Sequence, residues 1–169
     1  MVTIGIDPGT AATGFGVIRE EQDGSLTVLG FGVIQTNANQ PQARRLVQLY
    51  QGIKELILLH QPDVGAGEKL FFERNVRTAL SVGQARGVAL LAMAESGLQI
   101  GEYTPLEVKQ AVAGYGGADK SQIQQMVKTL LRLDVIPRPD DAADALAVAI
   151  CHIHSSKLRD LYSENRDAE

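Results

Sequence analysis

Val2-Thr3-Ile4-Gly5-Ile6-Asp7-Pro8-Gly9-Thr10 opens the chain with an apolar, β-branched run that ends on a carboxylate and a turn. Val, Thr and Ile favour the pleated, half-buried environment of a strand, and Pro8-Gly9 stops it. Asp7 therefore stands where a buried strand reaches the surface, the place at which open α/β sheets carry their sites. An isolated Asp-Pro-Gly is as often a capped turn, so the reading depends on what the rest of the chain adds.

Outward from this strand, residues 14–20 read as a second strand, Glu21-Gln22-Asp23-Gly24-Ser25 as a hairpin turn and 26–36 as a third strand. Leu46, Leu49, Tyr50, Ile53, Leu56, Ile57 and His60 recur at helical spacing over 42–61, and Pro62 ends that helix. A fourth strand over 64–72 places Glu68 at its middle or exit, although Gly65 and Gly67 are poor strand formers. Residues 75–96 form a helix apolar on more than one side, which fits core packing alone or the core on one face and a partner subunit on another. A fifth strand at 98–103 leads into Thr104-Pro105-Leu106-Glu107, a capping box with proline at the first helical position. Helices over 119–133 and 140–154 follow, separated by Pro137 and Pro139. A meander followed by helix-linked strands predicts an α/β fold, a mixed five-stranded sheet flanked by helices. If the fourth strand lies beside the first, Asp7 and Glu68 become neighbours.

The 169 residues, 44% hydrophobic and 21% charged, suit one domain over 1–154, with 155–169 a polar, disordered tail. There is no signal-peptide pattern at the start and no apolar run of about 18 residues, so a soluble cytoplasmic protein without a membrane role is expected. The lone Cys151 sits among apolar neighbours as a core residue, and His60, His152 and His154 lack metal-ligand spacing. The net charge of -4 argues against a generic nucleic-acid binder. Yet residues 69–138 hold nine basic against six acidic side chains, and setting four carboxylates aside as ligands leaves sixteen charges of each sign. The acidity can therefore belong to a site.

The last helix opens Asp140-Asp141-Ala142-Ala143-Asp144. At about 100° per residue, either Asp140 or Asp141 shares a face with Asp144. Asp140 and Asp141 also suit a helix N-terminus, whereas Asp144, in an alanine-rich packed helix, needs a partner. With Asp7 and Glu68 this gives up to four carboxylates, and oxygen ligands without cysteine or histidine suit magnesium or manganese. Two such ions about 3.5–4 Å apart serve phosphodiester cleavage.

Ile4-Gly5-Ile6-Asp7-Pro8-Gly9, the Glu-Lys-Leu-Phe-Phe-Glu-Arg-Asn segment over 68–75, Gly83-Gln84-Ala85-Arg86-Gly87 and Asp141-Ala142-Ala143-Asp144-Ala145-Leu146-Ala147 together resemble the RuvC family of bacterial Holliday junction resolvases. The likeness runs nearly to His154 in family order and spacing. It implies a ribonuclease H-like fold, a homodimer, and paired incision of four-way junction DNA in recombination and repair, with two Mg2+ per subunit and Mn2+ as a substitute. By position, Asp7, Glu68, Asp141 and Asp144 match the family's catalytic, metal-binding acids, which leaves Asp140 as a cap. Lys109 and Lys120 match lysines of the catalytic cleft that also contact DNA, Phe71 matches an aromatic that stacks on junction bases, and Arg74 and Arg77 are candidate phosphate contacts. The RuvA and RuvB branch-migration proteins are the implied partners.

Two other classes compete. Sugar kinases, actin and the chaperone ATPases share a phosphate loop like Gly5-Ile6-Asp7-Pro8-Gly9-Thr10, but they need two related domains and this chain holds one such loop. The alternative within the resemblance is a junction-binding module without cleavage.

Overall fold

The computed structural model describes residues 1–69 and 76–166 and, of these, the side chains outside 76–78 and 158–166. β1 (Val2–Asp7), β2 (Ala12–Glu20) and β3 (Leu26–Gln35) form the antiparallel meander. The turn at 21–25 closes with Glu21 N donating to Ser25 O, and Gly24 takes the left-handed φ of 81° that the turn needs. α1 (Gln42–His60) carries the chain back so that β4 (Val64–Glu68) pairs parallel with β1. α2 (Val76–Glu95) does the same for β5 (Gln99–Tyr103), parallel to β4. The five strands lie in the order β3-β2-β1-β4-β5, and α3 (Pro105–Ala113), α4 (Lys120–Leu130) and α5 (Asp140–Arg166) complete the chain. The architecture is the α/β mixed sheet flanked by helices that the sequence predicts.

Period-two alternation sorts the sheet into two faces. Ile4, Ile6 and Val17 pack with Ile53 of α1 and Ala89, Ala92 and Met93 of α2. Ile18 and Ala66 point the other way, into a core with Leu146, Ala149 and Ile150 of α5 and with α3 and α4. Burying each large aliphatic side chain contributes about 1.5–3 kcal/mol. Asp7 follows Ile6 and Glu68 lies two residues beyond Ala66, so strand parity turns both toward the α5 face.

Three features qualify the sequence reading. The fourth strand is bounded at Glu68, after which Lys69 N donates to Tyr103 O; the rest of the stretch expected to run to Phe72 falls in residues 70–75, outside the described residues. The glycines of β4 are compatible with a buried central strand because Met93 fills the space over Gly65, where a Cβ would stand 2.5 Å from its Sδ. α5 does not stop at His154: through Arg166 the segment expected as a polar tail continues the helix. It contains neither glycine nor proline, and Lys157 pairs with Glu20 of β2.

α5 reaches the sheet unusually closely. A Cβ on Gly5 would lie 2.2 Å from Ala145 O and 2.8 Å from Ala149 N, one on Gly14 2.0 Å from Asp141 O, and one on Gly16 2.7 Å from Leu146 Cδ2. On the helix side, Ala142, Ala145 and Ala149 are fully buried small residues. Gly5→Ala is therefore expected to destabilise the protein by about 1–3 kcal/mol, because backbone rather than a movable side chain blocks the new methyl. Gly67→Ala, whose Cβ meets nothing within 4 Å, is expected to be neutral or stabilising. Urea denaturation of both variants checks the pair, and equal stability would remove close approach as the constraint.

Candidate active site

The site is built from three elements that end or begin at one edge of the sheet. Asp7 closes β1 and Glu68 closes β4, and because Ile6 is in register with Gly67 the two carboxylates follow side by side on adjacent parallel strands. β1 also pairs Asp7 with Gly14 of β2, and Gly14 lies under the Asp141 carbonyl. The close approach of α5 thus carries Asp141, and one turn later Asp144, over the ends of β1 and β4. The turn after Asp7 is pinned by its own side chains. Thr13 Oγ1 donates to Gly9 O at 2.8 Å, and Thr10 Oγ1 donates to Ser81 O of α2, also at 2.8 Å.

The electrostatics record this convergence. Burial, then the charges of Asp144, Glu68 and Asp141, push Asp7 from a carboxylate's ordinary 3.8 up to about 7, against the pull of Lys120. Glu68 is raised by burial and by Asp144. Asp144 is raised by burial, opposed by the Lys120 hydrogen bond and charge and reinforced by Asp140 and Asp141. Such a group of mutually repelling, part-buried carboxylates marks a candidate functional site.

Lys120 is the first residue of α4, fixed by a capping box in which Asp119 accepts from Gln122 N and the Gln122 side chain accepts from Asp119 N. Its Nζ lies 3.0 Å from Asp144 Oδ2 and 3.4 Å from Asp140 Oδ2. Burial alone would lower its pKa, but these two carboxylates raise it overall and hold the ammonium charged. Asp140 is not a helix cap. Its carboxylate accepts from Gln124 Nε2 at 3.1 Å and pairs with Arg138 and Lys120, so it holds the lysine rather than the α5 backbone. The lysine partnership is a tertiary relation between α4 and α5 with no local signature.

Other candidates are placed differently. Lys109 lies half-buried on α3 and makes no ion pair among the described residues. Arg77 belongs to the first turn of α2, its side chain outside the description, and Phe71 and Arg74 lie outside the described residues. Cys151 is fully buried, and burial pushes its thiol up to about 11, as a core role requires.

The chemistry of the group suits a hard cation: its oxygens are carboxylate oxygens with no cysteine or histidine among them, and Lys120 already presents one positive charge to Asp144. Among the described residues no three acidic, histidine or cysteine side chains stand close enough together to hold an ion.

The family model described as crossover junction endodeoxyribonuclease RuvC matches residues 3–152. A relative of that name from Roseiflexus sp. (strain RS-1) is 56% identical over 164 residues, 97% of each chain. The solved Thermus thermophilus RuvC superposes with a TM-score of 0.87 at 36% identity, covering 94% of this chain and 96% of that one. T. thermophilus RuvC in complex with a Holliday junction substrate gives 0.85 at 34%, with the same coverage.

The raised Asp7 has a consequence for stability. Between about pH 4 and pH 7 the folded chain keeps a proton on Asp7 that the unfolded chain has released, so the folded state binds more protons and stability falls as pH rises. The slope from this group approaches about 1.4 kcal/mol per pH unit at most and vanishes above pH 7. In EDTA, Asp7→Asn is expected to remove that component and to be the more stable protein at pH 8. Urea denaturation of both proteins at pH 5, 6, 7 and 8 checks it, and identical pH profiles would contradict it.

Proposed function

The chain belongs to the crossover junction endodeoxyribonuclease RuvC family, and from that premise we propose how its own residues cut DNA. It is a structure-selective endonuclease that resolves Holliday junctions. In the reading favoured here, Asp7, Glu68, Asp141 and Asp144 hold two Mg2+ ions per subunit, with Mn2+ as a substitute. When bound, these ions supply the positive charge that activates water and stabilises the leaving oxygen in phosphodiester hydrolysis. The products are 5′-phosphate and 3′-hydroxyl ends that a ligase can seal. The observation that carries the reading is the half-buried Asp7 among the charges of Glu68, Asp141, Asp144 and Lys120, an anionic group needing more positive charge than one ammonium provides.

The protein's part is placement. The strand ends fix Asp7 and Glu68, and the first turns of α5 fix Asp141 and Asp144. Lys120, steadied by Asp140, places its own ammonium beside Asp144 to meet the phosphate charge that grows in the transition state. Lys109, Phe71, Arg74 and Arg77 are assigned to strand and junction contacts on the family likeness. Among the described residues no helix is long and apolar enough to cross a membrane, and a cytoplasmic location follows from the substrate.

Paired incision calls for two sites related by a twofold axis. α2 leaves Leu80 and Leu91 65% and 59% exposed, and this face is assigned to the homodimer. RuvA and RuvB are assigned as the branch-migration partners.

Mg2+-dependent nicking of a synthetic four-way junction beside a linear duplex tests the chemistry. Paired nicks are expected for the wild type and loss of about a hundredfold or more for Asp7→Asn or in EDTA; junction binding without nicks in either metal would favour the binding-module alternative. Because ligands must shed their protons, Mg2+ affinity is expected to weaken below about pH 7, by up to about tenfold per unit, and to level off above it. Calorimetry at pH 6 and 8 reads this directly. Leu91→Glu is expected to yield monomers by sedimentation and to abolish paired incision, whereas an intact dimer would exclude this face.

A further inference from the structure

Asp141 belongs to the carboxylate group and also to the wall of an open cleft of about 500 Å³, whose other walls include Gly9, Thr10, Arg45 and Ser81. These residues come from three parts of the fold: the turn after β1, the first turn of α1 and the N-terminal half of α2. A chain of hydrogen bonds ties them together. Arg45 Nε donates to Thr36 Oγ1 at 2.8 Å, Thr36 Oγ1 donates to Thr10 O at 2.6 Å, and Thr10 Oγ1 donates to Ser81 O at 2.8 Å. The half-buried guanidinium is thus held by one edge, and its terminal nitrogens have no hydrogen-bond partner among the described residues.

Local structure does not account for this arginine. The first turn of α1 contains Arg44 and Arg45 and no acidic residue, an arrangement that opposes the helix dipole. Nor does Asp141 pair with it among the described residues, although both line the cleft. A held arginine offers a planar fork of donors matched to phosphate oxygens, and its charge offsets the repulsion that Asp141 exerts on an anion entering the cleft. Because the cleft shares Asp141 with the carboxylate group, it adjoins the place where the scissile phosphate of a bound strand would lie.

We propose that the cleft between the β1–β2 turn and the N-terminal parts of α1 and α2 is a backbone-phosphate subsite for the strand being cut, with Arg45 as its phosphate-binding residue. The assignment rests on the reading of the carboxylate site as a nuclease centre. Arg45 acts on the substrate directly, and Thr36 positions it.

The test uses the full chain and a fluorescent four-way junction in EDTA, with affinity measured across a series of salt concentrations. Arg45→Ala is expected to weaken binding about tenfold at moderate salt and to make the slope of log affinity against log salt shallower by about 0.9, the signature of one lost phosphate contact. Arg45→Lys is expected to keep the slope and lose part of the affinity, because the charge remains and the fork does not. Arg45→Gln retains an amide to reach Thr36 without the charge, and it is expected to lose the slope as Arg45→Ala does; it decides the matter if Arg45→Ala fails to fold. An unchanged slope in a folded neutral variant, with or without a lower melting temperature, overturns the proposal and leaves Arg45 a tether for Thr36. A wild-type protein that neither binds the junction nor nicks it in Mg2+ overturns the nuclease reading and this subsite together. A wild type that does both beside neutral variants with wild-type slopes overturns the subsite alone.

Discussion

The close approach of α5 to β1 and β2 is the constraint on which the rest of this structure depends. Helix and sheet meet closely: Gly5 and Gly14 face the backbone of Asp141, Ala145 and Ala149, and Gly16 leaves room for the Leu146 side chain. Interiors are packed at crystalline density, so a single methyl on the sheet side has nowhere to go unless the helix moves. The same contact fixes the height and direction of the first turn of α5. Glycines where the two layers meet let Asp141 and Asp144 come near enough for their charges to act on Asp7.

The site gained by this packing is costly to the folded chain. Asp7, Glu68 and Asp144 are all held above their ordinary pKa values, with burial the leading cause in each case. Lys120 offsets part of the charge, and Asp140, with Arg138 and Gln124 behind it, keeps that lysine in place. Stability withheld here is stability available to whatever cation or phosphate completes the charge balance, since a ligand bound only by the folded state adds its binding free energy to folding. The two hydrophobic layers supply the compensating free energy away from the site.

Those layers also divide the labour. The α1–α2 side buries Ile4, Ile6 and Val17 and sends Thr10 across to Ser81, so the turn after Asp7 is braced by helices that carry none of the carboxylates. The α3–α5 side supplies the acids and the lysine. Where the two sides meet at the end of β1, an open cleft shares Asp141 with the acidic cluster.

Much of this is local and therefore legible in the chain. β-branched alternation, the turn at 21–25 and the capping box at Thr104 each act over a few residues, and the observed strand order realises the condition under which Asp7 and Glu68 become neighbours. The helical offset of Asp141 and Asp144 likewise follows from 3.6 residues per turn. Three things were not legible in this way. Asp140 looks like a cap from its position alone, yet its partners come from α4 and from Arg138. The polar 155–166 segment gives no amphipathic signal and is helical in continuity with a buried helix. Lys120 joins the acids across 24 positions of sequence, a relation that the family likeness supplied and periodicity did not. The sequence by itself determined the elements, their order and which face of each carries a carboxylate, because those properties depend on neighbours in the chain. Only the tertiary structure decided how deeply Asp7 is buried, which cation faces Asp144 and what the cleft beside Asp141 contains, because burial and charge pairing depend on groups that meet only after folding.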